Sequence, residues 1–492
     1  MTRIMLLFVA VSVAMPAAPG AETTSVGTWM EQFRKANPDL AQLVETSSTV
    51  RPELGAKMLL TIARSPQIKQ LQWKRNLLLQ AFETAALVRE PLPQHLVLSG
   101  TLRGLSVIGT RAQLQESLQE EELDRLSLES GAVAGMLKID PGTAKELFLR
   151  MPSPSPNRPS CADLFVEDPS PYYDLLGEIV RVAFSDQEKK EGKHVELLST
   201  KIQEMNSALE LGPMSNVLQS IPLSMDERSF LTSELATTFG NIDLDDRSFS
   251  SSLLQTDERV HSLISVSGSL GGTTGALAAA YRSYLARGFS EARCADTVQN
   301  DGNTKKIVDR FNDEFAKDGD SRLRRFEIAD LKPERVLSEP EITRFTPSVD
   351  ELIQKIFDMI LPDNEDGEAD RKSVRAAKLD DILRMFEEME PAVGEDQDSY
   401  LMRKGLAFTG VIGSIPPCPE RDKLLSRYVD FLNSAADSSE DLVVWIGPLR
   451  VLLDAVDADH AAKRSLLESL RHSPQAAVSF YARLEQLRQN ER

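Results

Sequence analysis

A chain of 492 residues, 41% hydrophobic and 27% charged, has ordinary globular usage; this argues against a disordered protein and, at such a length, against one ordinary core. Its 56 basic residues are outnumbered by 75 acidic ones, a formal net charge of −19. A field of that sign repels nucleic acid and anionic lipid surfaces, so neither is expected as a partner.

The first feature along the chain is Arg3, followed by an apolar run from Ile4 to Met15 and the small-residue segment Pro16 to Ala21. This is the pattern of a signal peptide over residues 1–20, with a small-x-small cleavage site at Ala18-Pro19-Gly20. The run is shorter than the roughly 20 residues a bilayer span needs, so export is expected rather than the alternative of an uncleaved anchor. Loss of Arg3 leaves 55 basic against 75 acidic residues, or −20. The first cysteine is Cys161, which rules out a lipid-modified cysteine at the cleavage point.

Beyond the leader, apolar residues recur at intervals of three and four almost throughout, and strand-like alternation is scarce. The pattern predicts an all-α fold of stacked helical hairpins. From Pro52, Leu54, Met58, Leu59 and Ile62 share a face, and after Ser65-Pro66 a second helix carries Trp73, Leu77, Leu78, Ala81, Phe82 and Ala85. Similar pairs are predicted at Asp174 to Phe184 with His194 to Ala208, Val349 to Leu361 with Lys372 to Met389, and Asp459 to Arg471 with Gln475 to Leu487. Each helix has one apolar stripe and needs a neighbour to cover it. This texture resembles HEAT-like and tetratricopeptide solenoids in architecture. Trp73 and Leu77 are similar to the opening of a tetratricopeptide unit, but Leu78 and Ala81 replace the Gly and Tyr of that signature, so its peptide groove does not carry over.

Breaks divide the chain into a helical lobe at 21–151, a second at 160–361, an acidic linker at 362–371 and a C-terminal lobe at 372–492. The proline-rich stretch Pro152 to Pro159 cannot continue a helix, Asp363 to Asp370 reads as a solvated linker, and a further break falls at Pro416 to Pro419. The segment Glu116 to Leu128 reads as a helix with a strongly acidic exposed side, able to meet a basic partner or simply to be solvated.

Three cysteines, Cys161, Cys294 and Cys418, allow one disulfide and a free thiol, or none. Cys161 and Cys294 are each followed by Ala-Asp and then by an apolar helical segment, which makes them the expected pair. A catalytic thiol needs a histidine partner, and with only five histidines in the chain none is expected. His95, His194, His261, His460 and His472 are scattered, with neither HExxH nor zinc spacing, so no metal is expected. Aligning Gly367 with the sharp turn of a calcium loop leaves Pro362 and Ser373 where carboxylates are required. The glycine-rich stretch Gly268 to Gly275 precedes a predicted helix from Ala276 to Ala286 but lacks the lysine of a phosphate loop and a preceding strand. No cofactor is expected.

These residues point to an exported all-helical scaffold or protein-interaction module without catalytic activity, its protein or peptide partner unspecified and its mature chain not inserted in a membrane. The alternative is a secreted (α/α)-toroid enzyme acting on polysaccharide through two carboxylates. No such pair stands out. Aromatic residues are only 6%, and of the three tryptophans, Trp29, Trp73 and Trp445, the last two fall in apolar helical faces, where core positions are expected.

Overall fold

The computed structural model describes residues 26–88, 97–102, 105–110, 121–154, 166, 168–244, 246–267, 272–291, 293–294, 302–317, 320–327, 333, 335–337, 381–391, 397–414, 419–438, 442–457 and 459–491. The fold is all-α. In chain order the helices are α1 (Val26–Ala36), α2 (Pro38–Ser47), α3 (Pro52–Arg64), α4 (Leu71–Ala85), α5 (Arg125–Leu137), α6 (Pro141–Arg150) and α7 (Ser170–Val182). Then come α8 (Asp186–Lys190), α9 (Lys193–Glu204), α10 (Ala208–Ser220), α11 (Met225–Asn241), α12 (Asp246–Ser267), α13 (Gly272–Ser290) and α14 (Gly302–Glu314). The C-terminal helices are α15 (Gln397–Ser414), α16 (Pro419–Ser438), α17 (Val443–Ala455), α18 (His460–Arg471) and α19 (Ala476–Glu491).

Local chemistry sets many of the helix starts. Pro38, Pro52 and Pro141 stand at first helical positions, where a missing N–H costs nothing. Ser185, Ser207 and Ser224 open α8, α10 and α11 as capping boxes, each serine oxygen accepting a backbone N–H while Glu188, Glu210 or Glu227 accepts one in return. At Glu188, a hydrogen bond from Lys145 Nζ, joined by those from the Ser185 backbone and hydroxyl, holds the carboxyl down to about 2. Its contribution to stability is therefore present above the usual carboxylate range and is lost as pH falls towards 2. An NMR titration of this side chain should show that low midpoint, and an ordinary one near 4.5 would contradict the contact.

The predicted hairpins are recovered unevenly. Helices α3 and α4 pack together, as do α18 and α19. The second predicted pair is rearranged. Helix α7 lies chiefly against α5, α6 and α10, while α9 lies against α11, because the short α8 intervenes and the Ser207 cap ends the predicted His194 to Ala208 helix early. Of the third pair, only residues 381–389 are described, 381–387 of them as helix, which ends two residues short of the predicted Met389. Packing continues across the proline-rich stretch, α7 resting on α5 and α6, and then runs through α10 on α12 and α11 on α13. The acidic linker lies outside the described residues.

Two short pairings add strand to the helical pattern. Strands β1 (Val97–Leu102) and β2 (Leu105–Thr110) form an antiparallel hairpin, Leu102 opposite Leu105. Five of its twelve residues are Val, Ile or Thr, which suit a pleated ribbon. Strands β3 (Arg293–Cys294) and β4 (Val336–Leu337) pair in parallel.

Helix α3 is the most enclosed of the amino-terminal helices. Every residue from Glu53 to Ala63 is buried, although the sequence marks only one apolar stripe. Helices α2, α4 and α5 pack against α3, and so does α19, which brings a C-terminal helix onto an amino-terminal one. At Gly55 the approach of α2 is so close that a Cβ would sit 2.3 Å from the Ser47 carbonyl oxygen. Since backbone cannot swing aside, Gly55→Ala should cost about 1–3 kcal/mol in urea denaturation. An unchanged midpoint would show that the α2–α3 contact is looser than this.

Candidate functional site

Two buried charged centres gather most of the unusual chemistry. The first ties α12, α13 and α14. Asp257 and His261, one helical turn apart on α12, lie on the same face. Asp257 Oδ1 accepts a 2.6 Å hydrogen bond from the Tyr281 hydroxyl of α13, and Oδ2 accepts one of 3.2 Å from Arg310 of α14. His261 Nε2 is 3.2 Å from Asp257 Oδ1, and Nδ1 is 2.7 Å from Glu314 Oε2. Burial, reinforced by the Asp257 charge and hydrogen bond, pushes the Tyr281 hydroxyl well above its ordinary range, which keeps it a donor. Burial would also raise Glu314, but contacts from His261 and Arg310 outweigh it and leave that carboxyl low.

A histidine beside carboxylates invites a proton-relay reading. Here His261 is 1% exposed, both its nitrogens face acids, and the Phe315 ring lies 4.5 Å away. The contacts of His261 with Asp257 and Glu314 tie α12 to α14, and Tyr281 adds α13.

The second centre joins α3 and the turn before α5 to the C-terminal helices α17 and α19. Glu121 is 3% exposed; its Oε2 accepts a 2.7 Å bond from Arg488 Nη1 of α19, and its Oε1 lies 3.0 Å from Arg450 Nε of α17. Arg488 also donates to Glu485 at 2.7 Å, and Arg450 lies 3.4 Å from Asp454 and 3.9 Å from Glu485. The adjacent Glu122 has a φ of 52°, a left-handed backbone that non-glycine residues hold only when their surroundings enforce it. Its carboxylate pairs with Lys57 on α3 and lies 3.8 Å from Arg64. Burial pulls the Lys57 ammonium pKa down even against Glu122. Burial would raise Glu122, but the hydrogen bond and charge of Lys57 prevail, because Glu122 is half exposed where Lys57 is enclosed.

The structure thus revises the acidic segment Glu116 to Leu128. Residues 116–120 lie outside the described ones, 121–124 are not helical, and α5 begins at Arg125 with Asp124 as its cap, accepting from the Ser127 N–H. Among the described residues, its basic partners belong to this chain.

The other singled-out residues scatter. Cys294 is buried in β3 and disulfide-bonded, while Cys161 and Cys418 lie outside the described residues, as does His95. His194 is buried 3.2 Å from Glu227; His460 and His472 are exposed. Helix α13 starts at Gly272, ahead of the predicted Ala276, and Gly268 to Gly271 lie outside the described residues. Trp73 and Trp445 are core residues, and Trp29 is half-buried against Phe33. Among the described residues, no group of three or more His, Cys, Asp or Glu side chains is placed to hold a metal ion, and no helix is long and apolar enough to cross a membrane. The chain matches no family model, no curated protein and no solved structure.

Proposed function

We propose that the chain acts, after export, as a helical scaffold that binds a protein or peptide through its surface. The observation that carries this reading is that both charged centres are spent on holding helices to one another, at His261 and at Glu121. Among the described residues, the helices leave apolar side chains such as Met225, Phe230 and Leu254 exposed, a feature suited to recognition of a protein or peptide. A disulfide at Cys294 accords with the oxidising compartment to which the leader would deliver the chain.

One observation favours the toroid enzyme instead. Helix α19 rests on α3, a return of the C-terminal helices to the amino-terminal ones that a toroid requires. The test is to purify the mature chain, screen it for turnover of polysaccharides, and capture and then reconstitute a complex from purified components. A saturable complex without turnover supports the scaffold; hydrolysis abolished by one pair of carboxylate substitutions would replace it with the enzyme.

A further inference from the structure

We infer that the chain contains one helical unit twice, α7 to α11 forming the first copy and α15 to α18 the second. The register is carried by α10 and α17. Both are 13 residues long, and each holds a proline as its sixth residue, Pro213 or Pro448, directly after a glycine, Gly212 or Gly447. Among the described residues, these are the two helices with a proline in the interior. Such a proline removes a hydrogen bond and clashes with the preceding turn, so helical periodicity does not account for its recurrence at one position.

The same register runs without a gap through the neighbouring elements. Four residues separate each of these helices from the next, α11 or α18, and the last of the four, Ser224 or Asp459, caps it by accepting the N–H of the third helical residue. The fourth helical residue is basic in both copies and reaches back: Arg228 donates to the carbonyls of Leu218 and Ile221, and Lys463 to the Asp457 carboxylate. Buried apolar positions coincide as well, Leu211 with Ile446, Leu218 with Leu453 and Leu231 with Leu466. Ahead of α10, Leu197 coincides with Leu432, and Tyr173 and Leu176 of α7 coincide with Phe408 and Val411 of α15. Packing follows the sequence: α7 lies on α10 as α15 lies on α17, and α9 on α11 as α16 on α18.

A departure between the copies has a local cause. Helices α8 and α9 together occupy the place of the single helix α16, and the break between them falls at Gly192, whose φ of 75° a right-handed helix cannot hold. At the matching position the second copy has Arg427, and α16 runs on through it. The duplication holds whether the surface takes a protein or a glycan.

Segment exchange within the full mature chain tests it. Replacing residues 217–224 with the sequence of 452–459 keeps the register, the buried pattern and a cap. Filling the same window from 453–460 slips it by one residue and brings the aspartates of 454 and 457 to the buried positions of Leu218 and Ile221. The in-register chain should keep the helicity of the wild type and a single cooperative urea transition, and the slipped chain should lose that cooperativity. A crystal structure of the wild type gives a second measurement. The interaxial angles of α7 with α10 and of α15 with α17 should agree within about 20°, the scatter inside one packing class, as should those of α9 with α11 and of α16 with α18. Equal behaviour of the two exchanged chains would overturn the duplication, and so would equivalent helix pairs that cross at angles further apart than this.

Discussion

Replacing Asp257 with alanine should cost about 3–5 kcal/mol of stability, the range for removing one member of a buried charged pair. The carboxylate is 3% exposed and serves three helices at once: it accepts from Tyr281 and Arg310 and lies beside His261 on its own helix. Its loss leaves the Tyr281 hydroxyl without an acceptor inside a cluster of rings that includes Phe239, Tyr284 and Phe311. Asp257→Asn separates the two contributions in part, since it keeps an oxygen for Tyr281 while it removes the charge and the oxygen that accepts from Arg310. It should cost about 1–3 kcal/mol, near the penalty for an imperfectly satisfied buried polar group. Urea denaturation of both variants is the measurement; losses below about 1 kcal/mol for the alanine variant would show that the centre is solvated.

The two centres differ in what sequence could show of them. Asp257 and His261 are four apart in a helical pattern, so their shared face is readable, but Glu314 and Arg310 reach them only because α14 packs across α12. No local periodicity carries that crossing. Helix α3 shows the same limit more sharply. Leu54, Met58, Leu59 and Ile62 mark its stripe, whereas the burial of Glu53 and Lys57 comes from elements outside the hairpin, α19 among them. The acidic segment misleads for a related reason. A cluster of carboxylates looks solvated until its counterions, here Arg450 and Arg488 more than 300 residues away, are in place. What sequence does carry are features with short-range causes: the helical period of α3, α4, α18 and α19, and the core positions of Trp73 and Trp445. The Ser-x-x-Glu boxes at Ser185, Ser207 and Ser224 are equally open to reading, and the one at Ser207 would have ended the predicted His194 to Ala208 helix correctly.

Cys294 supports the other large effect. It is 1% exposed in β3, a two-residue strand that packs on α12, and is disulfide-bonded. The Ala-Asp that follows both Cys161 and Cys294 makes Cys161 the proposed partner. A bridge closing so long a loop should contribute roughly 4–5 kcal/mol by constraining the unfolded chain. Cys294→Ser should therefore lower the urea midpoint sharply, and reducing the wild type under mild conditions should do nearly the same without altering the packed side chain. Non-reducing peptide mapping identifies the partner. A Cys161–Cys294 peptide supports the pairing, whereas a Cys294–Cys418 peptide reassigns it to the Pro416 to Pro419 break. Finding Cys294 as a free thiol in protein isolated from its own cell would remove the bridge and, with it, the redox support for export, because a reducing compartment keeps such thiols unpaired.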